Sequence, residues 1–241
     1  MKELIRFQDL TISIKERVLY NNLNLTISEG DRYILFGKNG AGKSLLLTLL
    51  AEGYSKRLAK CYSGLKVTGK IINANGDDLL DPQTDRSFAY AEQNESFNPN
   101  STLFSEAESA CHGSNIALDE DKLDYLLERF ELSHLKKKKI KNSVSGGEMK
   151  IISLVTRILK LPASDYFLLD EPLNHLSFQN SKVFNEIMRE EIIANPGLAV
   201  IMVSHCRAVN FVDKSLIFDP DSQKLIVKPY EAYDCFLKTN Q

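Results

Sequence analysis

The sequence is short of several residue types whose absence narrows the possibilities. Its 241 residues include no tryptophan and only four cysteines, and the net charge is −2. Because the cysteines are far apart and form no CxxC pair, we expect reduced thiols in a cytoplasmic protein, not a disulfide framework or a metal cluster. With 30 basic and 32 acidic residues, the overall charge favours neither nucleic acid nor an anionic membrane surface as a partner.

Long hydrophobic runs are also lacking. Nowhere do about 18 apolar residues follow one another without charges, so the sequence predicts no membrane-spanning helix. The first twenty residues carry charges throughout, unlike a signal peptide. Any role at a membrane would therefore need a partner. A hydrophobic content of 43% is nevertheless enough for one large α/β domain with a buried core.

A glycine-rich loop between a predicted strand and a predicted helix is the most informative stretch. Apolar residues 33–36 predict a buried strand, the leucines of residues 45–50 predict a packed helix, and residues 37–44 between them read GKNGAGKS. This matches the phosphate-binding pattern GxxxxGK[ST]. The flanking elements make a mere surface turn the weaker interpretation. We expect nucleotide binding by Gly37, Lys38, Asn39, Gly40, Ala41, Gly42, Lys43, Ser44 and Leu45.

Each residue type in this loop has a chemical reason. Glycines leave backbone N–H groups open to a triphosphate. Lys43 can reach the β and γ phosphates, and the Ser44 hydroxyl can join the shell of a Mg²⁺ ion. The sequence therefore predicts a site for a nucleoside triphosphate with Mg²⁺.

Three other predicted strands end in polar residues. Residues 166–169 lead into Asp170 and Glu171, residues 87–91 lead to Gln93, and residues 198–203 lead to His205. We expect Asp170 to hold Mg²⁺ through its water shell and Glu171 to polarise an attacking water. His205 could hydrogen-bond a γ-phosphate. The alternatives are a helix start for the two carboxylates and a structural histidine.

The rest of the chain predicts a β-rich start and a helical insertion. Residues 4–14 and 23–27 are expected to form strands, and residues 64–73 a pair of strands. Helical spacing marks residues 101–110 and 119–130, and the lysine run at 136–139 is either a solvated face or an anion or RNA contact. A helix over residues 178–194, a hairpin over 215–228 and a short helix over 231–237 complete the prediction.

The segment Ser145-Gly146-Gly147-Glu148 begins another predicted helix. By itself it is a weak motif, because a serine followed three residues later by a glutamate is also an ordinary capping box.

Taken in order, these motifs resemble those of the ATP-binding cassette (ABC) ATPases, over nearly the whole chain. Residues 37–44 match Walker A, Gln93 the Q-loop, residues 144–148 the LSGGQ signature, residues 166–171 Walker B, residues 173–177 the D-loop and His205 the switch histidine.

The resemblance implies an α/β fold of the P-loop NTPase class. Its parts would be a RecA-like core with an N-terminal antiparallel β subdomain, over residues 1–93 and 144–241, and an inserted helical subdomain at 94–143. The implied cofactors are ATP and Mg²⁺. The implied catalytic residues are Lys43, Glu171 and His205, and the implied metal ligands are Ser44, Gln93 and Asp170.

The resemblance also implies two cassettes facing head to tail, as a homodimer or with a paralogue. ATP on the Walker A of one would be capped by Ser145, Gly146, Gly147 and Glu148 of the other. Several positions depart from the family pattern: Val144 and Glu148 in the signature, Ser177 where the D-loop usually has aspartate, and Ile14 where an aromatic often stacks on adenine. Tyr20 is then a candidate for stacking.

Two functions are open on this basis. The favoured one is the ATPase subunit of an ABC transporter, cytoplasmic and peripheral at the inner face of the plasma membrane, with separate transmembrane permease subunits. The alternative is an ATPase similar to the ABC-F translation factors, associated with the ribosome and RNA. Residues 173–176 and 229–234 resemble motifs of that subfamily, but its paired cassettes and long charged linker are missing.

Overall fold

Two β-sheets and six α-helices organise the part of the chain that the computed structural model describes, namely residues 1–93, 97–140, 144–205 and 209–230. The strands are β1 Glu3–Ile14, β2 Arg17–Ser28, β3 Arg32–Phe36, β4 Leu65–Asn73, β5 Phe88–Ala91, β6 Tyr166–Asp170, β7 Ala199–Val203, β8 Lys214–Asp219 and β9 Lys224–Pro229. The helices are α1 Lys43–Glu52, α2 Lys56–Cys61, α3 Leu103–His112, α4 Glu120–Arg129, α5 Gly146–Ile158 and α6 Phe178–Ala194.

The larger sheet has the order β5-β6-β7-β3-β8-β9. Its first five strands are parallel, and β9 is antiparallel to β8. In a parallel sheet the carboxyl ends of neighbouring strands meet at one edge, which is where ligands bind. The strand order therefore brings the segments after β3, β5, β6 and β7 together.

Both faces of this sheet are covered, which explains why its strands are apolar without alternation. In β6, Phe167 and Leu169 contact the core beneath α3, α4, α5 and α6. Tyr166 and Leu168 contact a second core, formed with α1 and the smaller sheet. The sheet is thus fixed from both sides, and the loops at its edge rest on a rigid base.

The smaller sheet is antiparallel with the order β2-β1-β4. The prediction of two strands in residues 64–73 is wrong, because β4 is one strand that pairs with β1 along its length. Gly69 has φ of +87° and lies within β4, opposite a bulge in β1. A Cβ there would stand only 2.5 Å from the Asp9 carbonyl oxygen. The helix α2 was not predicted.

The helical insertion consists of α3, α4 and a short 3-10 turn at Ser133–Leu135. Its apolar face joins the same core as α5 and α6. The predicted boundaries at residues 94 and 143 fall outside the described residues and stay predictions, as does the helix at 231–237.

The fold class predicted from the sequence is confirmed: an α/β architecture with an antiparallel β part and a P-loop core. Within the described residues, no helix is long and apolar enough to cross a membrane.

Candidate functional site

The P-loop lies between β3 and α1, at the edge where the parallel strands end. Gly42 is the N-cap of α1 and has φ of +87°, in the left-handed region that glycine adopts without strain. A Cβ at this position would stand 3.1 Å from the side chains of both Leu19 and Tyr20. Glycine at position 42 is therefore required by backbone conformation and by packing.

Lys43 is buried and is held by the loop itself. Its Nζ donates to the carbonyl oxygens of Gly37, at 2.8 Å, and Lys38, at 3.2 Å. Burial lowers the pKa of Lys43, while the charges of Glu171 and Asp170 raise it in part. The ammonium thus lies inside the loop that would wrap a phosphate chain.

Asp170 and Glu171 follow each other at the end of β6 and are almost fully buried. Burial raises the pKa of both carboxyl groups; for Asp170 a hydrogen bond with Ser44 lowers it in part, and for Glu171 the nearby His205 does so. Glu171 has φ of +49°, an unusual conformation for a residue with a side chain. Such strain is typical of functional sites.

His205 lies at the end of β7 and contacts Glu171 twice. Its Nε2 is 3.3 Å from Glu171 Oε1, and its backbone N–H donates to Glu171 Oε2, also at 3.3 Å. The imidazole is half exposed on the cavity side, whereas the carboxylate is buried. The pair could hold a water molecule or a phosphate oxygen between a buried acceptor and an accessible imidazole.

Gln93 is exposed two residues beyond β5. A buried lysine on α5 holds the backbone of this segment, since Lys150 Nζ donates to the Glu92 carbonyl oxygen at 2.7 Å and the Gln93 carbonyl oxygen at 3.5 Å. Lys150 therefore connects α5, the helix that begins at the predicted signature, to the segment that carries Gln93.

The residues present fit a Mg²⁺ ion. Asp170 Oδ1 is buried and accepts no hydrogen bond from any residue that the structure describes, although a buried oxygen of this kind normally has a partner. Beside it lies the Ser44 hydroxyl, which also lines the cavity. A hard cation prefers such oxygen ligands and usually keeps several waters. No group of three His, Cys, Asp or Glu side chains that could form another metal site occurs within the described ranges.

One cavity of about 660 Å³ joins these elements. It is lined by P-loop residues and by Gln93, Glu171 and His205, and its volume suits a nucleotide. Seven of the residues predicted to bind the nucleotide line this cavity: Asn39, Gly40, Gly42, Lys43, Ser44, Leu45 and Gln93. Sequence reasoning missed Arg17, Leu19, Tyr62 and Asn174, which also line it.

The signature residues lie elsewhere. Ser145, Gly147 and Glu148 line a separate cavity of about 400 Å³, together with His175 and Ser177. Ser145 is the N-cap of α5 in a complete capping box: its hydroxyl accepts from the Glu148 N–H, and Glu148 accepts from the Ser145 N–H at 2.7 Å. The structure does not bring the signature to the P-loop of the same chain.

Ser177, which replaces the usual aspartate of the D-loop, has a local role as the N-cap of α6. Its hydroxyl accepts from the Asn180 N–H at 3.1 Å. Leu173 and Leu176 of the same loop pack on the core.

Tyr20 cannot stack on a base as the sequence suggested. It is fully buried, with its ring edge-on to Phe218 and its hydroxyl without a hydrogen-bond partner among the described residues. Both Tyr20 and its neighbour Leu19 belong to the core that the smaller sheet forms with α1. Ile14, by contrast, lines the cavity.

Comparison with known proteins places this arrangement in a family. The family model described as "ABC transporter" matches residues 20–174. The chain is 30% identical, over 172 residues, to the molybdate/tungstate import ATP-binding protein WtpC of Thermococcus kodakarensis, covering 70% of this chain and 48% of that protein.

Other relatives carry similar descriptions. An uncharacterised ABC transporter ATP-binding protein of Schizosaccharomyces pombe is 29% identical over 85% of this chain and 42% of its own length. The ergothioneine transport ATP-binding protein EgtV of Helicobacter pylori is 25% identical over 85% of this chain and 91% of its own length. The chain thus spans less than half the length of the first two relatives.

Among solved structures, one described as the ATP binding subunit of an ABC transporter superposes with a TM-score of 0.76. It is 20% identical and is matched over 94% of this chain and 90% of its own. At that identity the likeness establishes the fold. Together with the family match, it shows that this chain belongs to the ABC transporter family and carries an ATP-binding cassette.

Proposed function

We propose that this chain binds Mg·ATP in the 660 Å³ cavity, hydrolyses it, and pairs head to tail with a second cassette to power transport. The observation that carries the proposal is the convergence of the P-loop, Gln93, Glu171 and His205 on one cavity. These are the parts that phosphoryl transfer needs: a phosphate cradle, a group that positions water, and a hydrogen-bonding partner at the γ-phosphate.

The residues would divide the chemistry as follows. Lys43 would exchange its contacts with the Gly37 and Lys38 carbonyl oxygens for phosphate oxygens. Glu171 would orient a water, with His205 fixing the carboxylate from 3.3 Å away. Mg²⁺, held by Ser44, Asp170 and Gln93, would neutralise charge on the phosphates when bound.

A second copy would complete the site. Ser145 and Gly146 are exposed at the N-terminus of α5, where backbone N–H groups and the helix dipole favour an anion. Ser145 and the neighbouring Gly147 line a cavity other than the one that the P-loop lines. Two identical chains related by a two-fold axis would place each signature on the other chain's nucleotide.

Separate permease subunits would couple hydrolysis to transport at the cytoplasmic face of a membrane. Support comes from relatives whose descriptions name import or transport. The alternative, a ribosome-associated ATPase, rests on the resemblance of residues 173–176, since residues 231–234 lie outside the described part of the chain. Of the lysine run, Lys136 pairs with Asp124 and Glu120, while Lys137, Lys138 and Lys139 are exposed.

Substitution of Glu171 tests the proposed chemistry. Glu171→Gln keeps the shape of the side chain but removes the carboxylate, so we expect hydrolysis to fall by at least about 100-fold while ATP still binds. Phosphate release and binding of a fluorescent ATP analogue measure the two effects. Hydrolysis at the parent rate would exclude Glu171 from the reaction.

Lys43→Ala is the companion variant for the binding step. It removes the ammonium inside the loop, so the fluorescent analogue is expected to lose its affinity. Unchanged affinity would contradict the assignment of the P-loop.

A further inference from the structure

The turn between β1 and β2 supplies a wall of the nucleotide cavity that none of the sequence motifs accounts for. Arg17, the first residue of β2, lines the cavity together with Ile14 and Leu19. Its Nη1 lies 3.7 Å from the point where a Cβ on Gly40 would stand. The guanidinium therefore lies over the middle of the phosphate-binding loop.

The charge of Arg17 is open to a ligand. The side chain is exposed, and no carboxylate forms an ion pair with it within residues 1–93, 97–140, 144–205 and 209–230. Lys43, by contrast, already donates to two carbonyl oxygens. A guanidinium presents five donors in a planar fork that matches phosphate oxygens. A phosphate chain bound to the loop would thus contact a second cation, Arg17, which does not belong to the loop.

Apart from Arg17, the described residues of β1 and β2 that line the cavity carry no side chain that could hydrogen-bond the edge of a base. Ile14 and Leu19 are aliphatic, and Tyr20 is buried beneath Gly42. The aromatic Tyr62 of the segment after α2 also lines the cavity. Aliphatic contact discriminates between bases far less than hydrogen bonds do.

We propose that Arg17 contacts the phosphate chain and that the site selects its ligand by the phosphates more than by the base. This inference rests on the proposed nucleotide binding and adds a residue and a specificity to it. It predicts that ATP and GTP bind with affinities within about fivefold of each other.

Competition binding tests both parts without relying on hydrolysis. A fluorescent ATP analogue is displaced from the full chain by ATP, GTP or inorganic tripolyphosphate, each with Mg²⁺. Arg17→Ala should weaken all three competitors by a similar factor of about tenfold, the loss of one charge-assisted contact. Lys66→Ala, which removes an exposed cation from β4 of the same sheet, is the matched control and should change none of them.

The outcomes separate cleanly. Equal affinity of Arg17→Ala and the parent for all three competitors would overturn the phosphate contact. A loss for ATP and GTP with no loss for tripolyphosphate would assign Arg17 to the base and overturn it as well. If the parent chain preferred ATP over GTP by clearly more than about fivefold, the inference that the base contributes little to selectivity would be overturned. If the parent chain bound none of the three, the proposed nucleotide site itself would fall, and with it this inference.

Discussion

Glu171 combines three properties that a single surface glutamate would not have. It is buried, its backbone is in the left-handed region, and both carboxylate oxygens contact His205. A strained conformation persists only where the surroundings enforce it. The neighbouring strands do so here, because the Glu171 N–H donates to the Val203 carbonyl oxygen and the Glu171 carbonyl oxygen accepts from the Asn174 N–H.

The pH dependence of hydrolysis follows from this burial. Burial raises the pKa of Glu171, and the proximity of His205 lowers it in part. In the proposed role the ionised carboxylate orients the water, so activity should be complete above the raised pKa and lost as pH falls through it. We expect the midpoint above the ordinary glutamate value of about 4.3 in a profile of kcat against pH.

His205→Ala supplies the comparison for that profile. Because it removes the group that lowers the pKa of Glu171, the midpoint of the residual activity should move to higher pH. A midpoint at the ordinary glutamate value in the parent protein would contradict the role of burial.

Glu148 places a negative charge where the signature would meet a nucleotide. Its hydrogen bond from the Ser145 N–H lowers the pKa of Glu148, which keeps the carboxylate ionised. Glu148→Gln retains an acceptor for the cap and removes the charge. We expect nucleotide-driven pairing to need about two- to fivefold less ATP at low salt, with a smaller gain at high salt because ions screen the repulsion.

An exposed acid far from the signature provides the control for Glu148. Glu108→Gln on α3 changes the net charge of the chain equally and should leave the ATP requirement unchanged. The same gain in both variants would mean that net charge, and not position, is responsible.

Sequence reasoning located residues that follow the ends of parallel strands, and the structure brings these residues together. Gln93, Glu171 and His205 were predicted as site residues, and all three line the cavity. Arg17 was missed because a single arginine at the start of a strand has no sequence pattern of its own. Tyr20 was misjudged because only the pairing of β2 shows which face of the strand is buried.

Helix α5 joins two parts of the cassette through its first two turns. Ser145 caps it at the signature, and one turn later Lys150 reaches the carbonyl oxygens of Glu92 and Gln93. A lysine in register with the buried Leu154 and Ile158 was the signal in the sequence that this position has a special role. Any shift of α5 would therefore move the segment that carries Gln93.

Lys150→Met tests this connection. Methionine fills a similar volume without the ammonium, so the fold should survive, whereas Gln93 loses its backbone anchor. We expect kcat for ATP hydrolysis to fall about tenfold while KM changes less than about threefold, and Lys150→Arg to recover part of the rate. A tenfold rise of KM with unchanged kcat would contradict this connection, because it would mean that Lys150 affects only the binding of ATP.

Strands were predictable from the sequence where both of their faces are buried. The apolar runs of β3, β6 and β7 each predict one strand, because both faces lie in a core. The single strand β4 was predicted as a pair of strands, because the pairing of Gly69 with the bulge of β1 is a tertiary feature that the sequence does not show. The short α2 has six residues and too weak a periodicity to be predicted.

Across the whole molecule, the helical insertion is tied to the core by ion pairs between α4 and α6. Arg129 pairs with Glu186 at 2.8 Å and Glu190 at 2.9 Å, and Lys122 pairs with Glu191 at 2.8 Å. These contacts orient the insertion that precedes the signature. Within one chain the signature residues and the P-loop line different cavities, and this separation is the main physical reason to expect a second copy.

The mass of the Glu171→Gln protein in solution, measured by sedimentation equilibrium with and without Mg·ATP, tests this pairing most directly. Slow hydrolysis keeps the nucleotide in place, so the account predicts a monomer without nucleotide and a dimer with it. The added substitution Ser145→Arg, which blocks the signature, should return the protein to a monomer. A mass that stays monomeric while ATP is bound, or a dimer that forms equally without nucleotide, would contradict the account.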